Sequence, residues 1–542
     1  MRRPALLLLL LCVLTFFLGL GCPAITDGDE AFYAESAREM VERGNWLTPY
    51  YNYEYRWQKP ILYYWLTAIT YMIVGIGEWS ARFWSALAGV GLAFVTWETG
   101  VRHMRRDDVG WLAGAMVATT FGYFAIGRMS LPDLPLAFFI TLAIASAFEG
   151  RWMLTGMAAG LGFLMKGPLA LLLPALVFLP VWWRERHRRK VRAADVALAA
   201  LVFAVVGPPW YVAMAREHGT AYLESFFLGD NFERFATDRF NEPRSPFFYA
   251  PVLLGGMLPW TAYLVVNTWR PMRALVARQL RMTDEEWRLI IWAVVPFLFF
   301  SASIGKQPRY ILPVLPPIAI LGARAILDRL DAARRGDRAA QRELRIATYA
   351  TAVILSLVAL VLVRTRELLV SAIPALTWMA LGALITCATV LIVLTRRRQL
   401  AHLPVVLPVC AAITLLALES GTLSGRRPEP VEDMAALVRA NRFAHEPIGV
   451  HHVFVRNLIF YTGLQQDDLF SDDRATAFMR SRDRVLMVVR DTDLRRLEAA
   501  AGVTMTELGA VRYFNTANVK FRSLIFPDPE RDIQRVLLVT NR

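Results

Sequence analysis

The chain is poor in the residues that build disulfide frameworks and metal sites. It contains four cysteines and seven histidines among 542 residues. The cysteines lie in or beside apolar stretches, and neither they nor the histidines of the polar segments show the spacing of metal ligands. His451 and His452 are adjacent, so their side chains would point to opposite faces if they lie in a strand. We therefore expect no disulfide framework from the cysteines and no metal site from the histidines. These residues are Cys12, Cys22, Cys387, Cys410, His218, His445, His451 and His452.

Nucleotide-binding and nucleophile motifs are also absent from the sequence. It has no Walker phosphate loop, no dinucleotide fingerprint and no nucleophile elbow. This argues against a cytosolic nucleotide as energy source or group donor. The sequence also lacks an internal repeat and a low-complexity tract.

Apolar residues, in contrast, are abundant. They make up 56% of the chain, and the mean hydropathy is +0.37, which is too apolar for a soluble protein of this length. Runs of roughly 17–25 apolar residues, the length that crosses a bilayer, recur along most of the sequence. The first run follows Arg2 and Arg3, and we interpret it as a retained span rather than a cleaved signal peptide. Thirteen spans are predicted, at 4–22, 79–100, 110–127, 132–149, 152–165, 168–183, 195–215, 247–269, 289–304, 309–327, 346–363, 369–395 and 403–420.

The net charge of +14 indicates membrane topology rather than nucleic-acid binding. The arginines occur in short clusters between apolar runs, as the positive-inside rule predicts. All clusters fall on one side of the membrane if the N-terminus is cytoplasmic. They lie at Arg102–Arg106, Arg184–Arg192, Arg270–Arg281, Arg324–Arg345 and Arg396–Arg398.

The aromatic run Ile61–Gly77 is a special case. Counting it as a span would place the basic clusters outside, so we interpret it as a helix lying in the membrane interface, where Tyr and Trp are favoured. The exterior segments are then Asp27–Gly77, Arg128–Pro132, Arg216–Pro246 and the C-terminal tail.

The composition changes near Gly421. Beyond it, short β-branched strands such as Ile448–Val453 and Val485–Val489 alternate with helical patterns such as Glu432–Arg442. We predict a transmembrane domain over 1–420, whose first exterior loop is 23–78, and a small exterior α/β domain over 421–542.

The first exterior loop brings carboxylates, a lysine and tyrosines to a membrane surface. Asp29 lies at or near the start of an amphipathic helix, as either an N-cap or a catalytic or substrate-orienting carboxylate. Lys59 precedes Pro60 at the start of the interfacial helix, where it would bind either a phosphate or lipid headgroups nonspecifically. The sequence leaves both pairs of alternatives open.

Further exterior loops also offer charged residues. Asp133 and Arg128 indicate a polar cavity at the start of a span, although an acidic residue there also caps helices. The number of exterior cations exceeds what the orientation rule predicts. If they converge, they would bind one anionic group, most naturally a phosphate. The cations are Lys59, Arg128, Lys166, Arg234, Arg244, Lys306 and Arg309, with Tyr310 beside the last.

These motifs resemble a known superfamily. The stretch DEAFYAESAREM (Asp29–Met40) and the pair Lys59-Pro60 resemble the first exterior loop of membrane glycosyltransferases of the GT-C type. The groups concerned are the aminoarabinose lipid A transferases and the dolichyl-phosphate-mannose protein O-mannosyltransferases. The resemblance covers roughly residues 5–330. Further matches are Gly44-x-Trp46, Lys166-Gly167-Pro168, Pro209-Trp210-Tyr211, Arg234-Phe235, Pro246-Phe-Phe-Tyr249, Leu258-Pro259-Trp260 and Tyr310-Ile-Leu-Pro313.

The resemblance implies an α-helical multispanning protein of the bacterial inner membrane, with interfacial helices and a periplasmic C-terminal domain. It implies an inverting enzyme that moves a sugar from undecaprenyl phosphate to an envelope acceptor, such as a lipid A or lipopolysaccharide-type glycolipid. Asp29 and Glu30 would be catalytic, with Asp29 orienting or deprotonating the acceptor. No cofactor is implied, and dependence on a divalent metal stays open. Donor and substrate would contact Tyr33, Gln58, Lys59, Arg128, Asp133, Lys166, Arg234, Arg244, Lys306 and Tyr310.

Other functions stay open at this point. Gln58 and Phe32 stand where the aminoarabinose transferases commonly carry Glu and Arg, so a sugar other than cationic aminoarabinose is an alternative. An enzyme like the protein O-mannosyltransferases is another. A transporter or flippase of a lipid-linked sugar would use the same cations at the membrane midplane, with an internal repeat. The expected partners are the bilayer, the donor and a glycolipid or protein acceptor, without nucleic acid; the oligomeric state is open.

Overall fold

The first part of the chain, up to residue 422, is mainly helical. The computed structural model describes residues 2–188, 190–237, 243–267, 282–369, 372–422, 427–443, 445–515, 519 and 521–542. The early helices are α1 (Arg2–Phe17), α2 (Asp29–Arg43), α3 (Leu62–Val74), α4 (Glu78–Met104), α5 (Asp107–Ala118), α6 (Phe121–Gly127), α7 (Asp133–Glu149), α8 (Trp152–Lys166), α9 (Leu169–Glu185), α10 (Ala193–Val206), α11 (Pro209–His218) and α12 (Thr220–Leu223). A hairpin of β1 (Tyr50–Tyr51) and β2 (Glu54–Tyr55) lies between α2 and α3.

The later helices follow a π-helix at Glu224–Glu233. They are α13 (Arg234–Ala236), α14 (Tyr249–Gly256), α15 (Thr261–Asn267), α16 (Asp284–Ala302), α17 (Leu315–Arg334), α18 (Arg338–Thr365), α19 (Pro374–Arg396) and α20 (Leu403–Thr422). Short 3-10 turns lie at Pro246–Phe248, Pro308–Val314, Arg366–Leu368 and Leu400–His402.

Among the described residues, four helices are long and apolar enough to cross a membrane, or up to seven if three bent pairs each count as one. The sequence predicts single spans at 110–127, 195–215 and 247–269, but the structure breaks each of them. The bends measure 52°, 40° and 116°. Pro208 and Pro259 lie at two of these breaks, and proline cannot continue the helical hydrogen bonds. The predicted total of thirteen spans therefore stays a prediction. The four long spans are Pro308–Arg334, Arg338–Leu368, Pro374–Arg396 and Leu400–Thr422.

Helix α3 covers most of the run predicted to lie in the interface. It contains 13 residues and ends before Gly75, whose φ of +97° favours glycine. At 1.5 Å per residue such a helix is about 20 Å long, shorter than the roughly 30 Å hydrocarbon core of a bilayer. Its length therefore fits the interfacial interpretation better than a span.

Small residues let α4 and α5 pack closely. A Cβ at Gly110 would lie 2.6 Å from the carbonyl oxygen of Trp97, and one at Gly100 would lie 2.9 Å from the Cα of Gly110. The two backbones therefore approach in a way that side chains would prevent. This close packing fixes the C-terminal end of α4, whose opposite end carries Arg82.

The C-terminal segment, residues 427–542, contains a five-stranded mixed sheet. Its strand order is β4-β3-β5-β7-β6, with β3 parallel to β4 and β5, and β7 antiparallel to β5 and β6. The strands are β3 (Ile448–Val450), β4 (Asp467–Asp468), β5 (Leu486–Arg490), β6 (Thr506–Tyr513) and β7 (Gln534–Thr540). The helices are α21 (Pro430–Asn441), α22 (Leu458–Thr462), α23 (Asp472–Met479), α24 (Asp491–Ala501), α25 (Phe521–Ile525) and α26 (Pro529–Asp532).

Both faces of this sheet are covered, as the apolar pattern of β5 requires. Leu486 and Val488 pack with α21 on one face, whereas Met487 and Val489 pack with α23 and α24 on the other. A central strand buried on both sides reads as a continuous apolar run rather than an alternating one.

Candidate active site

Asp29 is the first residue of α2. The residue at the N-cap is Gly28, which provides no side-chain cap, so the interpretation of Asp29 as the N-cap is wrong. Its carboxylate instead forms an ion pair with Arg309 Nη2, and 43% of the side chain stays exposed. A carboxylate in the first helical turn is also stabilised by the helix dipole.

Arg309 joins two carboxylates that are distant in the sequence. Besides Asp29, its Nε lies 3.3 Å from Oδ1 of Asp133, which is almost fully buried. Asp133 starts α7, and Lys166, which ends α8, places its Nζ 2.5 Å from the same oxygen. Lys166 also lies 5.1 Å from the centre of the Tyr310 ring. These five residues are called the Asp29 cluster.

The Asp29 cluster is formed by the ends of four elements. α2 and α7 present acidic residues at their N-termini, and α8 presents Lys166 at its C-terminus. The 3-10 turn Pro308–Val314 supplies the arginine and the tyrosine. Helix dipoles favour this arrangement of charges.

The charge state of Asp29 follows from its neighbours. Burial by itself would raise the pKa of this carboxyl group, but the charges of Arg309 and Lys166 outweigh burial and hold the pKa below its ordinary value. Asp29 is therefore ionised at neutral pH and is available as a proton acceptor or as a partner for a cation.

Aromatic rings connect the Asp29 cluster to a second charged pair. Tyr33 is buried and stacks on Tyr64 at 5.5 Å between ring centres, and Arg56 Nε donates to the Tyr64 hydroxyl over 3.0 Å. Burial, followed by the nearby Tyr64, raises the pKa of Tyr33 well above its usual range, so its hydroxyl stays protonated. Beyond these rings, Lys59 Nζ lies 3.4 Å from Asp230 Oδ1.

Gln58, Lys306 and Arg244 occupy different positions. Gln58 is exposed beside Lys59. Lys306 is 3% exposed, and its ammonium donates to the backbone carbonyls of Ser303 and Arg244. The exposed Arg244 side chain lies 4.7 Å from the Phe248 ring centre. The side chain of Arg234 lies outside the described residues.

Glu30 lies behind the cluster rather than in it. Its carboxylate is fully buried and pairs with Arg82 Nε over 2.7 Å. It also accepts hydrogen bonds from the backbone amides of Thr26 and Ser130, each over 2.9 Å. Both carboxylate oxygens are thus engaged by protein donors.

Arg128 does not join Asp133, contrary to the sequence-based expectation. It is buried, and its Nη2 donates to Glu419 Oε1 over 2.7 Å. It also donates to the carbonyls of Thr15 and Leu18. The physical reason is that Glu419 of α20 is a buried carboxylate that needs a cation, so Arg128 ties α1 to α20.

The C-terminal segment contacts the loop that carries the site at several points, and Arg456 is among them. The amide of Arg456 donates to Asp27 Oδ1 over 2.8 Å, and its guanidinium lies 5.0 Å from the centre of the Phe32 ring. The guanidinium of Arg56 lies 3.9 Å from the same ring centre, so two cations contact Phe32. Arginine–aromatic contacts of this type are favourable by about 0.5–2 kcal/mol.

Sequence reasoning missed several of these residues. Arg309 was noted only as one cation of its loop, and nothing local in the sequence marks it as a bridge between two carboxylates. Asp230 and Arg56 gave no signal, because their partners Lys59 and Tyr64 are defined only by the fold. Arg456 lies in a segment without matched motifs.

The chain is similar in sequence to known membrane transferases. The family model for dolichyl-phosphate-mannose-protein mannosyltransferase matches residues 6–219. An undecaprenyl phosphate-alpha-4-amino-4-deoxy-L-arabinose arabinosyl transferase of Proteus mirabilis is 31% identical over 338 residues, which are 60% of this chain and 59% of that protein. A transferase of the same name from Sodalis glossinidius is 34% identical over 334 residues, 58% of this chain and 57% of that protein.

Solved structures share the fold over nearly the whole chain. The crystal structure of ArnT from Cupriavidus metallidurans bound to undecaprenyl phosphate has a TM-score of 0.72 and 22% identity, covering 99% of this chain and 98% of that one. The oligosaccharyltransferase AglB from Archaeoglobus fulgidus has a TM-score of 0.53 and 13% identity, covering 92% of this chain and 70% of that one. Over part of its length the chain is similar in sequence to aminoarabinose transferases and to the protein mannosyltransferase family, and it shares its fold with ArnT and AglB.

The region that the family model matches contains most of the Asp29 cluster. Residues 6–219 include Asp29, Asp133 and Lys166 of this cluster, and also Lys59. Arg309 and the C-terminal segment lie beyond it, where the structural likeness continues. The resemblance drawn from the motifs is thereby confirmed at the level of the superfamily and the helical fold.

Proposed function

We propose that the chain transfers a sugar from undecaprenyl phosphate to a lipid A-type glycolipid. The observation that carries this proposal is the Asp29 cluster, where an ionised, half-exposed carboxylate lies among cations, with a second lysine, Lys59, beyond the Tyr33 and Tyr64 rings. The names of the curated relatives and the undecaprenyl phosphate bound in the ArnT structure support the donor and acceptor classes.

The chemistry is one inverting displacement. An acceptor oxygen attacks the anomeric carbon, the bond from that carbon to the phosphate oxygen breaks, and undecaprenyl phosphate leaves with the electron pair. Negative charge grows on the phosphate during this step, and fixed cations in a water-poor site stabilise it. We assign this role to Lys59, which exchanges its contact with Asp230 for the donor phosphate, with Lys166 as a further cation.

Asp29 faces the acceptor in this proposal. If the acceptor is a hydroxyl group, the carboxylate takes its proton. General-base catalysis of this kind raises the rate by about 10²–10⁴-fold. If the acceptor is a phosphate anion, no proton moves and Asp29 positions the acceptor with Arg309. Asp133 is too enclosed by Arg309 and Lys166 to act as a base, and we assign it the positioning of both cations.

The remaining predicted residues receive supporting roles. Glu30 positions α2 through Arg82 rather than contacting substrate, since its oxygens are engaged. Tyr33 lines the path between the two charged groups, and Gln58 lies beside the phosphate lysine. Arg244 and Lys306 hold the loop that precedes Arg309.

The proposed topology follows the basic clusters. We place the N-terminus in the cytoplasm, thirteen spans within residues 1–420 in the bacterial inner membrane, and a periplasmic domain at 421–542. Loop 23–78 then lies on the periplasmic side with the Asp29 cluster, where a lipid-linked donor and an envelope acceptor meet. The positive-inside rule supports this orientation.

The test is a transfer assay with purified full-length protein. Radiolabelled undecaprenyl phosphate sugars are incubated with envelope lipid and protein extracts, using Asp29→Asn as the inactive variant and Glu42→Gln on the exposed side of α2 as the control. Label in a glycolipid that is lost only in Asp29→Asn supports the proposal. Movement of the donor across liposomes without transfer would overturn it in favour of a transporter.

Protein is the alternative acceptor. The match of residues 6–219 to the protein mannosyltransferase family favours it. In the same assay, label in protein rather than glycolipid would assign the chain to that branch. The donor chemistry and the roles of Lys59 and Asp29 would be unchanged.

A further inference from the structure

A histidine pair lies at the end of β3, far along the chain from the Asp29 cluster. The strand stops at Val450, and His452 has a φ of +55°, so the chain turns instead of extending the strand. The His451 and His452 rings consequently lie 4.2 Å apart, not on opposite faces as a strand would place them. The expectation that these two side chains point to opposite faces of a strand is therefore wrong, because the strand ends before them.

His451 is fully buried without hydrogen-bond partners for its ring. Among the described residues, neither Nδ1 nor Nε2 forms a hydrogen bond. Leaving a buried polar atom unpaired is unfavourable by about 1–3 kcal/mol, so such atoms in native proteins call for a ligand or another explanation. Both nitrogens face carboxylates.

The carboxylates come from the starts of two helices. Asp472, the first residue of α23, places Oδ1 3.4 Å from His451 Nε2. Asp493, in the first turn of α24, places Oδ2 3.9 Å from His451 Nδ1. Ligand atoms of His451, His452 and Asp472 all lie within 4.8 Å of one another.

We propose that His451, His452 and Asp472 bind a divalent metal ion of the zinc type. Zinc takes imidazole nitrogens and carboxylate oxygens at about 2.0–2.2 Å in tetrahedral geometry, which sets two ligands roughly 3.4 Å apart. The His451–Asp472 distance already has that value. His452 is exposed and closes the remaining distance by side-chain rotation.

The second nitrogen of His451 supports this assignment. Metal-bound histidines usually donate their other ring N–H to a carboxylate, which fixes the tautomer and the ring orientation. Asp493 faces Nδ1 in this way. Nε2 is therefore the ligand atom, and a water molecule would complete the tetrahedron.

Arg496 acts as a competitor of the metal. Its guanidinium pairs with Asp472 and lies 3.7 Å from Asp493, yet 56% of the side chain is exposed. An exposed arginine leaves a carboxylate at little energetic expense, because surface ion pairs contribute only about 0–1 kcal/mol. Removing its charge should therefore strengthen metal binding.

The site would brace the stretch that reaches the Asp29 cluster. His452 and Arg456 are four residues apart, and Arg456 contacts Asp27 and Phe32. A metal at the histidine pair would fix the near end of this stretch to α23. This role does not depend on the proposed transferase activity.

The experiment titrates zinc chloride into chelator-treated, full-length protein by calorimetry and repeats the titration with cobalt, whose absorption reports tetrahedral ligation. One ion per chain is expected, with at least tenfold weaker binding in His452→Ala and in Asp472→Asn. Asp473→Asn, on the next residue of the same helix, should bind like the wild type, and Arg496→Gln should bind more tightly. His452 and Asp472 are not fully buried, so their variants should fold, which thermal unfolding verifies.

The outcomes separate the proposal from its rivals. Zinc should also raise the unfolding temperature of the wild type, since a ligand that binds only the folded state stabilises it. Absence of stoichiometric binding to the wild type would overturn the proposal. Wild-type affinity in both His452→Ala and Asp472→Asn would do the same, because the ion would then bind elsewhere. None of these measurements uses transferase activity, so failure of the proposed function would not affect them.

Discussion

Arg309 and Asp133, the first residue of α7, are 176 positions apart in the sequence, yet their Nε and Oδ1 atoms are 3.3 Å apart. The same guanidinium pairs with Asp29, so one arginine sets the distance between the two carboxylates of the cluster. Arginine suits this position because its planar fork binds two acceptors in fixed directions. The charge state of Asp29 depends on its own contact with Arg309.

Replacing Arg309 should change the pH dependence of transfer. In Arg309→Gln, burial is no longer opposed by the adjacent guanidinium, so the pKa of Asp29 should rise. The proposed mechanism with a hydroxyl acceptor needs the ionised carboxylate, so the acid limb of kcat/KM against pH should move toward neutral pH. The measurement is the pH profile of transfer for both proteins.

Arg309→Lys is the matched control, because it keeps the charge and loses the fork. Its acid limb should move less than that of Arg309→Gln. If the acid limb stays in place in both variants, ionisation of Asp29 does not set that limb.

Asp29 and Lys59 should differ in which kinetic constant they affect. Asp29→Asn should lower kcat by about 10²–10⁴-fold with a hydroxyl acceptor, because it removes the base. Lys59→Ala should lower kcat/KM for the donor by about 10²–10³-fold, as loss of one stabilising donor to a developing anion does elsewhere. Initial rates at varied donor and acceptor concentrations check both, and full activity in Asp29→Asn would remove it from the chemistry.

Local sequence signals were sufficient for individual elements. The start of α2 at Asp29 and the helix Pro430–Asn441 agree closely with the predicted positions. The strand predicted over Ile448–Val453 ends at Val450, because His452 and Phe454 adopt positive φ values that no pattern of apolar residues reveals. The broken helices at 110–127 and 247–269 were also missed, since mean apolarity does not register a bend.

The sequence indicates several of the charged residues of the site but not which of them form ion pairs. The sequence identified Asp29, Lys59, Asp133 and Lys166 as exterior charges, and the structure brings Asp29, Asp133 and Lys166 together through Arg309. It could not show that Arg128 is used by Glu419, because that carboxylate lies in an apolar helix almost 300 positions away. Partner choice among buried charges depends on tertiary packing alone.

Glu30 and Arg82 should behave as one stabilising unit. Arg82→Met leaves a fully buried carboxylate without its cation, which should destabilise the protein by about 3–5 kcal/mol. Glu30→Met with Arg82→Met should recover part of that loss, because both charges are then gone. Thermal unfolding of the single and double variants measures the coupling, and purely additive losses would contradict the pairing.

The same pair separates stability from catalysis at the Asp-Glu motif. Transfer per folded molecule should fall far less in Glu30→Gln than in Asp29→Asn. An equal loss of kcat in both, at unchanged unfolding temperature, would return Glu30 to a catalytic role.

Arg456 should determine how well the acceptor binds. It is a residue of the C-terminal segment whose charge acts on Asp29, and its guanidinium, like that of Arg56, lies against the Phe32 ring. An anionic glycolipid that approaches Asp29 from that side would meet this guanidinium, and a charge-assisted hydrogen bond is worth about 1.5–3 kcal/mol. Arg456→Gln should therefore raise KM for the acceptor about tenfold or more and leave KM for the donor unchanged.

Two control variants test this expectation. Arg456→Lys keeps the charge and should retain part of the affinity, whereas Arg474→Gln removes an exposed cation of α23 and should change neither constant. A rise in KM for the donor instead would place Arg456 at the phosphate of the leaving group. Because the carbonyl and amide of Arg456 bond to Tyr51 and Asp27 through the backbone, the substitution removes the charge without releasing the stretch that carries it.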